Sequence, residues 1–167
     1  MLLFKNKNNL KSQLSSLVLL YDTLQKLVTE TGIDRGLILR TSNGGGIPTF
    51  KTPIYFSITH EVHSEKVKGI KGKYQSIQAD RDYVALIIKL MEDKVVDLEI
   101  DKMPDSLLKN AYEAEGIKFA RIIYLSEDDK GVYYMSLSSL NAIIENPSEK
   151  VTYLLAVSRL IQLFNKK

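Results

Sequence analysis

Hydrophobic residues in the first thirty positions recur at the spacing of a helix. They follow one another at alternating intervals of four and three residues, which places them on one face. The members of this stripe are Leu10, Leu14, Leu17, Tyr21, Leu24 and Val28. Gly32 is a typical helix stop. The pattern therefore predicts a long amphipathic helix over Asn8–Gly32.

Several later stretches are typical of strands because they are short, rich in β-branched or aromatic residues, and bounded by turn residues. The predicted strands are Arg35–Thr41, Pro53–His60, Val95–Asp101, Ile117–Leu125 and Val132–Ser138. The glycine-rich segment Ser42–Gly46 is predicted as a turn, and Glu127–Gly131 as the turn of a hairpin. The long polar segment Glu61–Ser76 is predicted as a loop.

Three more helices are predicted between and after these strands. Asp80–Glu92 has an apolar run that suits a buried strand or a helix, and the helical spacing with Asp80 as N-cap favours a helix. Pro104 at a first position and Gly116 at the end bracket the next helix. The final helix starts at Pro147, capped by Asn146, and Ser139–Glu145 forms a short helical turn before it.

The element order is helix, strand, strand, helix, strand, helix, hairpin, helix. Short antiparallel connections dominate this order, which favours an α+β fold. We expect a central antiparallel sheet of about five strands, with the N- and C-terminal helices on one face and the middle helices on the other. No linker or repeat interrupts the pattern, so residues 1–167 are expected to form one domain.

Composition restricts the chemistry. The chain has 167 residues, a formal net charge of +3, two histidines and no cysteine. Without cysteine there is no disulfide, iron–sulfur cluster or thiolate nucleophile. The charge is too small to indicate nucleic-acid binding, and no apolar run is long enough to span a membrane. We expect a cytoplasmic protein without a metal or other cofactor.

Three stretches resemble the GAF family of small sensory domains. The helix-to-strand entry of Leu24–Arg40 is similar to the family's opening. The segment Lys94–Leu125 is similar to its middle strand, helix and next strand, and Asp128–Phe164 to its closing hairpin, loop and final helix. The likeness covers nearly the whole chain, but it lies in pattern more than in invariant residues.

The resemblance implies a module that binds a small ligand or a protein partner and performs no chemistry. Family members that carry bilins or reduce methionine sulfoxide depend on cysteine, which this chain lacks. The asparagine–lysine signature of the cyclic-nucleotide-binding members has no counterpart inside the domain, because Asn6 and Lys7 lie at the N-terminus. The family therefore leaves the ligand unidentified.

Strand alternation suggests where a ligand would bind. If the more apolar strand faces pack on the terminal helices, the opposite face gathers Arg40, Arg121, Tyr134 and Ser136. In GAF-like domains that second face forms the ligand pocket, and two arginines there would suit a small anion. The alternatives are a solvent-exposed sheet face and a pocket filled by its own side chains.

Other polar groups have simpler interpretations. His60 and His63 lie at a strand end, where residues three apart face opposite sides, so we predict no metal site. Glu99, Asp101 and Asp105 suit a solvent-exposed strand face and a helix start. The lysine-rich stretch Lys66–Lys73 suits a solvated loop, with phosphate or acidic-partner contact as the alternative. We predict no catalytic residue.

The two terminal helices carry more apolar surface than packing on a sheet requires. We expect them to form a homodimer or to bind a partner protein, through Leu10, Leu14, Leu17, Tyr21, Leu155 and Leu163. The alternative is that the two helices bury this surplus on each other. Two other functions remain open: an accessory subunit of a larger assembly, such as a virus particle, with a degenerate pocket, and a hydrolase or transferase using Asp101 or His60.

Overall fold

The computed structural model describes the backbone of residues 2–141 and 147–165 and the side chains of residues 9–141 and 150–165. Six strands form one antiparallel sheet in the order β3-β2-β1-β6-β5-β4. The strands are β1 (Arg35–Ser42), β2 (Tyr55–His63), β3 (Ile77–Gln78), β4 (Val95–Glu99), β5 (Phe119–Asp128) and β6 (Gly131–Ser139). Because β1 and β6 are central, both of their faces are covered.

Four helices flank the sheet: α1 (Leu2–Glu30), α2 (Arg81–Asp93), α3 (Leu107–Ala114) and α4 (Pro147–Phe164). The first and last helices pack together on one face of the sheet. The middle two cover the other face, with the segment of residues 64–76 between β2 and β3. The α+β fold and the distribution of helices over the two faces are thus confirmed.

Each face has its own hydrophobic core. Beneath the terminal helices, Leu24 and Leu27 of α1 and Leu160 of α4 meet Ile38 and Met135 of the central strands, all without solvent exposure. This core begins only at Leu20, about two thirds of the way along α1. The preceding turns of the helix extend beyond it.

The second core lies under α2. Tyr83, Ile87 and Leu90 recur at helical spacing and are its buried residues. They pack with Leu37 and Leu39 of β1, among others. The expected N-cap is confirmed, since an Asp80 side-chain oxygen accepts a hydrogen bond from the Tyr83 amide at 2.8 Å.

The structure corrects several details. The sheet has six strands because the segment predicted as a loop is followed by the two-residue strand β3. The third helix begins at Leu107, capped by Ser106, and not at Pro104, because the Ser106 hydroxyl accepts from the Lys109 amide. The turn predicted over Ser139–Glu145 begins in β6, and its part beyond residue 141 lies outside the described residues, as does the Asn146 cap. Within the described chain, no helix combines the length and apolarity needed to cross a membrane.

The carboxylate of Asp34 joins three parts of the fold. Asp34 is 3% exposed at the start of β1. One of its oxygens accepts from the Ser64 hydroxyl at 3.2 Å, and the other from the Ser139 hydroxyl at 3.2 Å and the Leu140 amide at 2.9 Å. Hydrogen bonds to a buried charged group are worth more than neutral ones. Asp34 therefore holds the ends of β2 and β6 against the start of β1.

We predict that Asp34→Asn destabilises the protein. An amide at this position turns an NH₂ group toward one set of donors, which leaves a buried donor unpaired. The free energy of unfolding should fall by about 1–3 kcal/mol, measured by urea denaturation. Asp129→Asn, in the exposed turn between β5 and β6, is the matched control and should change stability little. Equal stability of the two variants would contradict this role for Asp34.

Candidate functional site

A cavity lies between the second face of the sheet and its cover of α2, α3 and the 64–76 segment. It encloses about 70 Å³ that water-sized molecules can enter. A few waters would fit, since one needs about 10–15 Å³, but typical ligand pockets measure about 300–1,000 Å³. The strands contribute Arg35, Leu37, Leu39, Phe56, Ile58, Ile77, Ile122, Tyr134, Ser136 and Ser138 to its lining. The cover contributes Ile70, Tyr74, Tyr83, Leu86, Leu107, Leu108, Ala111, Tyr112 and Glu115.

One end of the cavity is apolar and aromatic. Phe56 of β2 and Tyr83 of α2 stack with their ring centroids 4.4 Å apart and their planes at 13°. Leu39 and Ile58 of the neighbouring strands are also buried there. Stacked aromatic rings form a rigid wall that suits an apolar group.

The other end carries polar groups from β1, β6 and α3. Arg35 and Ser138 are paired neighbours across the two central strands. Two residues earlier in β6, the Ser136 hydroxyl lies 2.9 Å from the Tyr112 hydroxyl and shares a hydrogen bond with it. Arg35 is 2% exposed and Ser138 is 1% exposed. Arg35, Ser136, Ser138 and Tyr112 therefore make this end of the cavity the more polar one.

The charge of Arg35 is balanced by two carboxylates. Its Nε lies 3.4 Å from Oε1 of Glu61, and its NH2 nitrogen lies 3.9 Å from Oε2 of Glu115. The same NH2 nitrogen donates to the Lys68 carbonyl at 2.7 Å. Glu115 in turn pairs with the exposed Lys73 at 2.6 Å. The four side chains alternate in sign and have no net charge.

Glu61 also anchors the 64–76 segment over the cavity. Its carboxylate accepts from the Ile70 amide at 2.9 and 3.0 Å and from the Lys71 amide at 2.7 Å. Ile70 is thereby buried against the second core. The lysines of this segment point outward and are exposed, as expected for a solvated loop.

Two buried hydroxyls in the lining have no hydrogen-bond partner. These are the Tyr83 phenol and the Ser138 hydroxyl, each closed off from solvent. Buried polar groups are paired in the great majority of cases, and an unpaired one calls for an explanation such as a water or a ligand. Both hydroxyls can donate and accept.

The helix α3 covers the cavity without packing tightly. None of its eight residues is fully buried, although Leu107, Leu108, Ala111 and Tyr112 all line the cavity. An amphipathic helix normally buries its apolar stripe. The space beneath α3 is therefore incompletely filled.

The structure separates the four residues predicted to gather at the site. Tyr134 and Ser136 line the cavity. Arg40 shares the face of Ile38, beneath the terminal helices, because β1 alternates without interruption against β6. Arg121 also lies on that face, with its guanidinium carbon 5.5 Å from the Tyr153 ring centroid of α4.

Arg121 is occupied by a carboxylate of the neighbouring strand. Its Nε and NH2 atoms donate to the two oxygens of Asp97 at 2.6 and 2.7 Å. This hydrogen bonding holds the pKa of the guanidinium above its usual value. The two arginines on which the expectation of an anionic ligand depended thus lie outside the cavity.

The other residues considered in the sequence analysis, His60, His63 and Asp101, do not line the cavity. Burial, followed by the nearby Lys71 charge, lowers the pKa of His60, whose Nδ1 contacts the Thr59 hydroxyl at 2.9 Å. His63 contacts the Ser64 carbonyl at the exposed strand end. Among the described residues, no three histidine, aspartate or glutamate side chains gather as metal ligands. Asp101 pairs with Lys118 at the surface.

Sequence reasoning missed Arg35, Tyr83, Tyr112 and Ser138. Arg35 and Ser138 lie at the ends of predicted strands, where a polar residue suggests solvent exposure. A signal was present in Ser136 and Ser138, which alternate on one face of a strand whose other face is apolar. Their partners from α2 and α3 carry no such signal, because they approach from distant parts of the chain.

Solved structures similar to this fold are GAF domains. The GAF domain region of a Geobacter sulfurreducens protein superposes with a TM-score of 0.59 at 16% identity, over 93% of this chain and 97% of that one. A GAF domain of a sensor histidine kinase from Bacillus halodurans gives 0.58 at 12%, over 90% and 91%. The photoproduct state of a GAF domain from Synechocystis gives 0.59 at 9%, over 90% and 91%.

At these identities the comparisons show the fold. No protein-family sequence model and no curated protein sequence matches the chain. The protein is therefore a GAF-like domain by its structure, as the sequence resemblance implied.

We predict that Tyr112 makes stability sensitive to alkaline pH. Burial raises the pKa of Tyr112 to about 12, although its hydrogen bond with Ser136 opposes this shift. An unfolded tyrosine has a pKa near 10, so the unfolded state loses its proton first as the pH rises. Below pH 10 this residue has no effect, and between about pH 10 and 12 stability falls, by on the order of 1 kcal/mol at pH 11.

The measurement is urea denaturation of the wild type and Tyr112→Phe between pH 8 and 11. The variant should lose less stability above pH 10, whereas the control Tyr21→Phe, which changes an exposed ring on α1, should follow the wild type. Parallel pH profiles for the wild type and Tyr112→Phe would show that this phenol titrates as in the unfolded chain.

Proposed function

We propose that this protein is a non-enzymatic, GAF-like sensory module that binds a small molecule in the cavity under α3. The observation that carries the proposal is the incompletely filled space between a rigid sheet and a loosely packed helix, with two buried hydroxyls that lack partners. Preformed, mostly apolar cavities with a few polar groups are the usual form of ligand sites. The proposal includes a single domain over the whole chain and a cytoplasmic location.

Ligand binding is predicted to depend on the open space beneath α3. Ala111 lines the cavity, so Ala111→Leu fills part of it. A library of small fragments, followed by ligand-observed NMR, should give binders to the wild type that Ala111→Leu loses. The matched control is Ala114→Leu, on the exposed side of the same helix, which should keep them. Both variants make the same change in the same helix, so helix propensity cancels.

The alternative function is an accessory subunit with a degenerate pocket. The observation that favours it is the small volume of the cavity, which lies well below that of common ligand sites. In that case no fragment binds under α3, and Ala111→Leu stabilises the protein by filling a void. The fragment experiment therefore separates the two functions.

A second part of the proposal is that the terminal helices form a homodimer. Leu10, Leu14, Leu17 and Tyr21 form a stripe on α1 that is exposed in the single chain, with Leu10 at 60%. On α4, Leu155 is 69% exposed. The four residues of the α1 stripe are spaced four, three and four positions apart, as in a coiled-coil seam, and this suits a second copy of the same helix.

Leu163 differs from the other five predicted interface residues. It is partly buried and packs on the core beneath the terminal helices. The surplus apolar surface is thus buried in part within the chain, at the end of α4, and remains exposed between Leu10 and Tyr21 of α1. A helix–helix contact would use that stretch of α1.

We predict that Leu17→Glu converts a dimer into a monomer without unfolding it. The substitution places a charge in the exposed stripe, ahead of the buried core that begins at Leu20. Sedimentation velocity over micromolar concentrations measures the change. The control Gln13→Glu adds the same charge to an exposed polar position of the same helix and should remain dimeric. A wild type that sediments as a monomer throughout this range would refute the dimer.

A further inference from the structure

We propose that the cavity takes a small neutral ligand, made of a short apolar body and one uncharged hydrogen-bonding group such as an alcohol or a primary amide. This inference rests on the proposed function and adds the class of ligand. It follows from three properties of the lining: its balance of charge, its two unpaired hydroxyls and its size.

The charge balance disfavours an ion. Arg35 is the cation of the lining, and Glu61 and Glu115 already lie 3.4 and 3.9 Å from it. With Lys73 the group sums to zero, so an added anion or cation would leave an uncompensated charge in a small, mostly apolar cavity. Burying an unpaired charge costs far more than burying a hydrogen-bonded neutral group.

An anion would need Arg35 to change partners. Its NH2 nitrogen donates to the Lys68 carbonyl, and Glu61 lies 3.4 Å from its Nε as an ion pair that leaves the Nε hydrogen without a hydrogen bond. Glu61 in turn holds the amides of Ile70 and Lys71. Recruiting the arginine to a ligand would therefore disturb the anchor of the 64–76 segment, whereas a neutral ligand leaves every one of these contacts in place.

The unpaired hydroxyls supply the recognition. Ser138 lies beside Arg35 at the polar end, and Tyr83 stacks on Phe56 at the apolar end. Each has a donor and an acceptor to satisfy and no partner among the described residues. One hydroxyl or amide group on a ligand would pair with Ser138, and the apolar body would then lie against Leu37, the next residue of β1 on the same face.

The volume of the cavity limits the size of the ligand. The cavity of about 70 Å³ is roughly half of an apolar cavity of 150 Å³ that accommodates benzene. A molecule of about three or four non-hydrogen atoms is therefore the expected occupant with α3 in its present position. Such small ligands bind weakly, because the best contribute at most about 1.5 kcal/mol per non-hydrogen atom.

The test uses four compounds with the same two-carbon skeleton and different polar groups: ethanol, acetamide, acetate and ethylamine. Titrations are followed by amide chemical shifts of the full chain at pH 7, where the last two compounds carry a charge. The alcohol and the amide should bind with millimolar dissociation constants and shift residues of α3 and β6. The two ions should bind at least about tenfold more weakly, which corresponds to 1.4 kcal/mol.

Two variants test the recognition. Ser138→Ala should weaken binding of the alcohol by about threefold to tenfold while leaving the unliganded protein at least as stable, because it removes an unpaired buried hydroxyl. Ala111→Leu should abolish binding, and Ala114→Leu should not. Undiminished binding to Ser138→Ala or to Ala111→Leu would place the compounds elsewhere and overturn the assignment.

The possible outcomes distinguish an error in the ligand class from an error in the proposed ligand-binding function. Acetate or ethylamine binding as tightly as ethanol, and lost in Ala111→Leu, would overturn the neutral class while the cavity remained a ligand site. If none of the four compounds binds but library fragments do, the class is wrong and the function stands. If neither binds, the proposed function itself fails.

Discussion

The buried guanidinium of Arg35 is the group on which the pocket side of the fold depends. At 2% exposure it cannot be solvated by water, and an isolated charge in this position would cost several kcal/mol. Glu61 from β2, Glu115 from the end of α3 and the Lys68 carbonyl meet that requirement. The sheet, the 64–76 segment and α3 are thereby held around one cation, and the polar end of the cavity is electrically neutral as a result.

This arrangement leaves a rigid floor and an incompletely packed cover. The floor is a sheet whose central strands are buried on both faces, whereas α3 has no fully buried residue. A ligand that filled the space would add contacts that exist only in the folded state, and would stabilise α3 through mass action. Binding of such a ligand and order in α3 would therefore be coupled.

The alternation of polar and apolar residues identified the two faces of β6 but not those of β1. In β6 the apolar Met135 and Leu137 face the terminal helices, as expected, and Ser136 faces the cavity. In β1 every one of Leu37, Ile38 and Leu39 is buried, because a central strand is covered on both sides. Neither face of β1 is polar, so the residue pattern did not show which face packs on the terminal helices. From the sequence the two faces were assigned the wrong way round, and Arg40 was therefore placed at the cavity.

Local chemistry alone determined the elements, the Asp80 cap and the fold class, because helical spacing, capping and turn residues act over a few neighbouring positions. The short strand β3 and the start of α3 depended on weaker local signals and were misjudged. Only the tertiary structure decided which arginine reaches the cavity. Arg35 and Arg121 carry the same charge in similar strands, but they pair with Glu61 and Asp97, which lie far away in the chain. Long-range pairing of this kind is set by strand register and the cost of burying charge, neither of which is visible in a local pattern.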